Sequence, residues 1–238
     1  MITSMNAWRR IGPSLLRAAA HPSLAAMRLR GVHQLRMRCR QTRSLVLTFD
    51  DGPGASLTPQ LLDLLRSRGV HATFFAVGRR ATAAPALMAQ IRREGHEVGC
   101  HSATHLHALR VDRRDALRDV EDGFALLAPW MDASAPYRPP YGKMTSEIAR
   151  YLRSRHSPLA WWTAESGDIE DELPSPDHAL AQVRRDGGGV VLMHDFDQSQ
   201  QRAEFVLKSV TILLDGAERE GWTVRTLRAL QDVSLDAG

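Results

Sequence analysis

Three absences narrow the classes to which this 238-residue chain can belong. It has two cysteines, Cys39 and Cys100, too few for a disulfide framework and compatible with a reducing compartment. It has no apolar run of about 18 residues, the length that a transmembrane helix needs, so we expect no membrane span. No acidic residue precedes Asp50, whereas nine arginines do. The formal charge of +4 therefore conceals a basic beginning and a net acidic remainder.

This distribution of charge argues against nucleic acid as a partner. A surface that binds nucleic acid combines clustered basic residues with interleaved aromatic side chains. The part of the chain after residue 43 shows neither feature, and aromatic residues make up 6% of the whole. We therefore expect no nucleic-acid partner.

The acid-free segment 1–43 has several interpretations. Arg17, His21 and Pro22 interrupt the apolar centre that a secretory signal needs, so secretion is less favoured than a cytoplasmic location. The composition suits a disordered basic tail, a peripheral helix lying on anionic lipid, or a helix packed across the fold. We predict a basic N-terminal extension, disordered or a peripheral helix, through which the protein is able to contact a membrane.

From Leu45 onward, short apolar runs alternate with amphipathic stretches, which is the pattern of strand–helix units. Strands are predicted at 45–49, 71–77, 97–101, 159–163, 189–194 and 222–227. Helices are predicted at 58–68, 84–94, 111–127, 145–155, 176–185 and 203–219. The chain is long enough for one substantial core. We expect one α/β domain around a parallel sheet, closed or nearly closed.

Asp50 and Asp51 end the first predicted strand and are followed by a Gly-Pro turn. Residues at the carboxyl ends of strands in such folds face a shared mouth, where active sites lie. Adjacent carboxylates repel each other, so the pair predicts a cation between them or a separate partner for each. Taken alone, Asp-Asp-Gly-Pro is also compatible with a purely structural turn.

His101 and His105 follow another predicted strand. Their spacing places both imidazoles on one face of a helical turn, where they can share one divalent ion. With Asp51 they predict a metal site of two histidines and one carboxylate, with an open position for water. Cys100 precedes His101 directly and so points to the opposite face of the strand, where we expect a packed side chain rather than a fourth ligand.

Five ordered motifs resemble those of the polysaccharide deacetylases, the NodB homology domain of carbohydrate esterase family 4. They lie at residues 48–53, 101–105, 138–142, 162–168 and 192–194. The resemblance implies an irregular (β/α) barrel of about seven units, with residues 44–238 as the deacetylase domain. Glu165 and Ile169 depart from the Asp and Trp of the fourth motif, so we expect an altered pocket wall beside an unchanged metal site.

The resemblance also implies catalytic roles. Asp50 resembles the family's general base, and Arg138 the residue that pairs with it and holds it ionised. His194 resembles the acid that protonates the departing amine, and Asp168 would orient its imidazole.

Two further residues resemble those that contact substrate. Tyr141 lies where the family offers a backbone N–H to the developing oxyanion. Trp162 is expected in the pocket wall.

The function that follows is metal-dependent hydrolysis of N-acetyl groups on amino sugars, with release of acetate. The substrate would be an oligosaccharide, a polysaccharide or a lipid-linked sugar, and the metal Zn²⁺, with Co²⁺, Mn²⁺ and Ni²⁺ as alternatives. Two other functions stay open: an amidase or deformylase acting on a non-polymer substrate, and a non-catalytic carbohydrate-binding domain.

Overall fold

The computed structural model describes residues 22–233. Its centre is a parallel sheet of strands β1 (Ser44–Asp50), β2 (Thr73–Ala76), β3 (Glu97–Cys100), β4 (Ala164–Glu165), β5 (Gly189–His194) and β6 (Thr223–Arg225). The helices that accompany it are α1 (Pro22–Gln41), α2 (Leu57–Ser67), α3 (Gly78–Ala83), α4 (Pro85–Arg93), α5 (Arg113–Leu127), α6 (Ser146–Ser154), α7 (His178–Asp186), α8 (Gln200–Glu220) and α9 (Leu227–Asp232). The predicted α/β class is confirmed.

β1 is the central strand of the sheet. One edge of β1 pairs with β5 over six consecutive residues, and its other edge is shared by β2 near the carboxyl end and β6 near the amino end. The register aligns Asp50 with His194 across β1 and β5. The sequence motifs at the ends of these two strands therefore lie side by side.

Single-residue bridges connect the outer parts of the sheet. Tyr137 bridges to Cys100 at the end of β3 and to Leu159 on its other side. The chain then reaches β4, which pairs with β5. The sheet curves towards closure, but the ladder is interrupted between β3 and β4. The described residues form six strands rather than about seven. The predicted strand at 159–163 pairs only through Leu159. The loop at 135–142 holds three prolines, which have no N–H to donate to a ladder.

Side chains of β1 alternate between two apolar clusters. Leu45, Leu47 and Phe49 belong to the large core shared with the surrounding helices. Val46 belongs to a smaller cluster. Because side chains of a strand alternate between its faces, Asp50 shares the face of Val46. The carboxylate therefore ends the row of side chains that points away from the main core.

Helix ends follow local chemistry. α7 and α8 stop at Gly187 and Gly221, whose φ angles of 76° and 64° are left-handed and favour glycine. Asp112 accepts a hydrogen bond from the backbone of α5, and Ser199 does the same for α8. α3 and α9 were not predicted, because six residues are too few to show a helical period.

Helix α1 packs on the sheet beside β1 and β5. Cys39 is fully buried. Arg38 donates hydrogen bonds to the carbonyl oxygens of Leu230 at 2.7 Å, Gln231 at 2.7 Å and Val233 at 2.6 Å. Of the interpretations of the first 43 residues, a helix packed on the fold describes 22–41. The prediction for residues 1–21 lies outside the described residues.

No helix within 22–233 combines the length and the apolar character needed to cross a membrane. Contact of the basic segment with a membrane surface stays a prediction, as does the cytoplasmic location.

Candidate active site

The three residues predicted to bind metal lie together at the carboxyl end of the sheet. Oδ1 of Asp51 is 3.2 Å from Nε2 of His101 and 3.0 Å from Nε2 of His105. The ligand atoms of all three lie within 4.8 Å of one another.

The donors and acceptors of this cluster fit a cation. Nδ1 of His101 lies 2.7 Å from the carbonyl oxygen of Arg138, so Nδ1 carries the proton and neutral His101 turns the lone pair of Nε2 towards Asp51. Oδ1 of Asp51 is buried without a hydrogen-bond donor. A buried carboxylate oxygen that faces the lone pair of His101 needs a positive charge beside it, and two imidazole nitrogens with one carboxylate oxygen are a ligand set that suits Zn²⁺. The residues present therefore fit the predicted metal.

The two histidines do not lie on a helical turn, so that part of the prediction is wrong. Residues 101–107 form a loop in which Ser102 and His105 both have a φ of 64°. The hydroxyl of Ser102 accepts a hydrogen bond from the backbone of His105 at 3.0 Å. Asp119 of α5 accepts from the backbone and hydroxyl of Thr104 at 2.9 Å and 2.7 Å. These contacts fold the loop back, and its left-handed residues bring the imidazoles together.

Backbone strain is concentrated at this site. Six non-glycine residues among those described have a positive φ, and four of them are Asp51, Ser102, His105 and Tyr141. A left-handed conformation costs such a residue on the order of 1–3 kcal/mol and persists only where the surrounding structure enforces it. The ligand loops and the expected oxyanion residue therefore share an enforced geometry.

Asp50 is bound to Arg138 in the interior of the protein. Nη1 of Arg138 is 2.7 Å from Oδ1 of Asp50 and 2.7 Å from the hydroxyl of Thr48. The guanidinium lies over the ring of Phe75, 4.2 Å from its centroid. Oδ2 of Asp50 is 3.8 Å from Nε2 of His101 and faces the metal cluster. One carboxylate oxygen is thus fixed by Arg138, and the other faces the site.

His194 is bound to Asp168, as predicted from the fourth and fifth motifs. Nδ1 of His194 is 3.1 Å from Oδ1 of Asp168, and the His194 backbone N–H donates to Oδ2 at 2.9 Å. The hydroxyl of Ser166 donates to the same carboxylate at 2.8 Å. Burial lowers the pKa of His194, but the charge and hydrogen bond of Asp168 outweigh it and raise this pKa to about 9. The raised pKa favours the imidazolium form of His194 at neutral pH, with a proton to give from Nε2.

Tyr141 lies at the edge of the metal cluster. Its ring centroid is 4.7 Å from that of His105, and the side chain is 42% exposed. Within the described residues, its backbone N–H donates to no backbone carbonyl. This free donor, held by the left-handed φ of 58°, is available to a ligand.

Trp162 is half-buried, and two guanidinium groups lie against its ring. Arg28 lies 5.1 Å and Arg138 5.6 Å from its ring centroid. Glu165 and Ile169, the two departures from the fourth motif, are exposed.

Asp195 was not among the predicted site residues. Its carboxylate is buried, accepts a hydrogen bond from the hydroxyl of Thr58 at 2.7 Å and packs on Gly52, where a Cβ would lie 2.1 Å from Oδ1. Burial raises the pKa of Asp195 to about 7, and the charges of Asp51 and Asp50 act in the same direction. Its position directly after His194 was the sole signal in the sequence.

The predicted packed role of Cys100 is confirmed. The side chain is fully buried in the main core, and burial raises the pKa of its thiol to about 12. Cys39 and Cys100 are both free cysteines, in agreement with the absence of a disulfide framework.

Comparison with known proteins places the chain in a family. A sequence model of the polysaccharide deacetylases matches residues 37–157. The chain belongs to the polysaccharide deacetylase family. The matched segment contains the metal cluster, Asp50 and Arg138, whereas Asp168 and His194 lie beyond it.

Individual relatives agree with this assignment. The chain is 28% identical over 188 residues to a peptidoglycan-N-acetylglucosamine deacetylase of Bacillus cereus, covering 78% of this chain and 87% of that protein. It is 34% identical over 158 residues to a chitooligosaccharide deacetylase of Sinorhizobium fredii, covering 64% and 72%. A crystal structure of a peptidoglycan N-acetylglucosamine deacetylase superposes with a TM-score of 0.72 at 24% identity, covering 82% of this chain and 91% of that one. The predicted class, a hydrolase of the deacetylase type, is confirmed.

Proposed function

We propose that this deacetylase hydrolyses N-acetyl groups of amino sugars in a reaction that depends on a divalent metal ion. The convergence of Asp51, His101 and His105 beside Asp50 carries the proposal. Asp51, His101 and His105 would hold the ion, which is Zn²⁺ by ligand chemistry, with Co²⁺, Mn²⁺ and Ni²⁺ as alternatives. A bound ion of this kind polarises a carbonyl group and lowers the pKa of water. The named relatives act on peptidoglycan and chitooligosaccharide, which supports an N-acetylated sugar as the substrate.

Asp50 acts as the general base. Its Oδ1 is fixed by Arg138, so the oxygen that faces His101 is free to accept the proton of the attacking water. The buried guanidinium keeps a positive charge at the far side of the carboxylate. Proton transfer to a positioned base of this kind accelerates a reaction by about 10²–10⁴-fold.

His194 acts as the general acid. Breaking the C–N bond of an amide requires a proton on the departing nitrogen. Asp168 fixes the Nδ1 side of the imidazole, which leaves the Nε2 proton for the amine. The raised pKa keeps that proton in place at neutral pH.

Tyr141 supplies its backbone N–H to the oxyanion that forms on the acetyl carbonyl. This donor is fixed by its backbone geometry before substrate arrives, so no reorganisation is needed in the transition state. A single donor of this type is worth about 2.7–4 kcal/mol of transition-state stabilisation.

Acetate release from a chitin-derived oligosaccharide by the purified, zinc-loaded protein tests this function. Release of acetate together with a free amine is expected from the wild type, and the double variant Asp50→Asn/His194→Ala serves as the control for chemistry. An N-formyl sugar and a small acetylated amine, supplied separately, test the deformylase and amidase alternatives. Hydrolysis of the N-formyl sugar or of the small acetylated amine, without acetate release from any N-acetylated sugar, would overturn the proposal. Sugar binding with no acetate release would also overturn it.

A further inference from the structure

Arg28 of helix α1 lies beside the loop that carries Tyr141. Its guanidinium carbon is 5.5 Å from the ring centroid of Trp161 and 5.1 Å from that of Trp162. A Cβ on Gly142 would lie 3.2 Å from Nη1 of Arg28. Gly142 follows Tyr141 directly, with Cα atoms about 3.8 Å apart. The N-terminal helix thus brings a cation to the rim of the active site.

The contacts of Arg28 differ from those of the other arginines of α1 that face the fold. Arg36 is paired with Asp186 at 2.8 Å. Arg38 donates to backbone carbonyls near the end of α9. Arg28 has neither a carboxylate within 4.0 Å nor a hydrogen-bond acceptor among residues 22–233, although it is half-buried. Aromatic rings accommodate the plane of a guanidinium but leave its five N–H donors unsatisfied.

Two further cations lie near Tyr141. Arg110 and Lys143 are exposed. The ring of His107 lies 5.0 Å from that of Tyr141, and the charges of Arg110 and Lys143 act on this imidazole. Arg28, Arg110 and Lys143 thus bring positive charge to the Tyr141 side of the site, where it attracts an anion.

We propose that Arg28 binds an anionic group carried by the substrate, either a carboxylate or a phosphate, next to the amino sugar that is deacetylated. The inference rests on the proposed function and refines its substrate class. A planar guanidinium recognises both groups through paired N–H donors, and its cation–π contacts with Trp161 and Trp162 restrict the side chain before binding. A carboxylate would come from a neighbouring acidic sugar, and a phosphate from a glycosyl phosphate.

Matched pairs of substrates test this role. Acetate release by the full-length, zinc-loaded protein is measured on an N-acetylated oligosaccharide bearing a carboxylate and on its neutral methyl ester. The same measurement is made on N-acetylglucosamine 1-phosphate and on the neutral methyl glycoside. Arg28→Met is expected to lower kcat/KM on the preferred anionic substrate by about tenfold or more, the loss typical of a charged hydrogen bond. Its activity on the neutral partner stays within about twofold. The larger loss identifies the carboxylate or the phosphate as the source of the anion.

Two variants control the experiment. Arg30→Met removes an exposed arginine from the same helix. It should leave the ratio of kcat/KM on the charged substrate to kcat/KM on its neutral partner unchanged for both pairs. Arg28→Lys keeps the charge and restores part of the preference, which a merely structural role would not produce. Equal losses on charged and neutral substrates, or no loss on either, would overturn the proposal. If the wild type releases acetate from no sugar, the proposed function fails. Calorimetric binding of the same sugars to wild type and Arg28→Met then decides the role of Arg28 independently.

Discussion

Nη1 of Arg138 lies 2.7 Å from Oδ1 of Asp50, and both side chains are almost fully excluded from solvent. The bond joins the loop at 138–142 to the end of the central strand. Burial lowers the pKa of Arg138, and the negative charge of Asp50 opposes that change. The pair therefore stabilises both the fold and the orientation of the proposed base.

Removing the guanidinium alone is expected to destabilise the protein strongly. Arg138→Met leaves the buried charge of Asp50 without its partner, which typically costs about 3–5 kcal/mol in the free energy of unfolding. The double variant Arg138→Met/Asp50→Asn should recover part of this loss, because neither charge remains. Urea denaturation of the four proteins in the cycle measures the coupling. A single-variant loss below about 1 kcal/mol would show that the pair is not a buried ion pair in solution.

Asp50→Asn separates catalysis from metal binding. The Asn side-chain oxygen can still accept from Arg138, and the metal ligands are untouched, so we expect wild-type metal content. Turnover should fall by about 10²–10⁴-fold, because the general base is lost. The matched variant Asp51→Asn should lose metal and activity together. Near wild-type turnover in purified Asp50→Asn would remove this residue from its role.

The pKa of the proposed acid His194 sets the alkaline limit that we expect for activity. Its pKa of about 9 implies that turnover falls as pH rises through about 9, where the imidazolium loses its proton. Asp168→Asn removes the charge that raises this pKa and should move the limit to lower pH. His194→Ala should abolish the limit altogether. An alkaline limb that stays in place in both variants would assign it to another group.

The same pKa has a consequence for stability. The folded-state value is raised above the usual 6.5, so His194 contributes its stabilisation fully below pH 6.5 and loses it as pH rises through about 9.

Gly123 of α5 packs directly against the backbone of the loop that carries His101 and His105. A Cβ at this position would lie 2.5 Å from the backbone carbon of Ser102 and 2.8 Å from the nitrogen of Ala103, and backbone atoms cannot move aside cheaply. Gly123→Ala is therefore expected to lower both the thermal midpoint and the affinity for metal. Gly216→Ala is the matched control, since the three atoms nearest its Cβ would all belong to the flexible side chain of Leu180. Equal tolerance of the two substitutions by melting and metal titration would contradict this account.

The sequence predicted the fold well where an apolar or amphipathic pattern extends over a whole strand or helix. The predicted strand at 189–194 coincides with β5, and the predicted helix at 203–219 lies within α8. Prediction failed where pairing depends on distant chain. Tyr137 and Leu159 join the sheet through single bridges, which leave no alternation in the sequence. The sequence also did not single out the packing of α1 on the sheet, because apolar and basic residues occur at both its exposed and its buried positions.

The site followed a similar division. The three metal ligands and the Asp50–Arg138 and His194–Asp168 pairs lie together as expected from the motifs, although their roles stay predictions. The spacing argument for the histidines failed because left-handed backbone, not a helix, brings them together. Asp195 and Arg28 were not predicted at the site because tertiary contacts place them there: Asp195 packs on Gly52 and Arg28 on Trp162.

We propose that deacetylation requires one divalent ion, bound by Asp51, His101 and His105. Zinc titration of chelator-treated protein tests it most directly, with bound metal and acetate release measured on the same samples. We expect a rate that rises with zinc occupancy and levels off at one ion per chain, and we expect neither bound zinc nor activity in His105→Ala. Full acetate release by the metal-free wild type, or a His105→Ala variant that binds zinc and turns over normally, would contradict it.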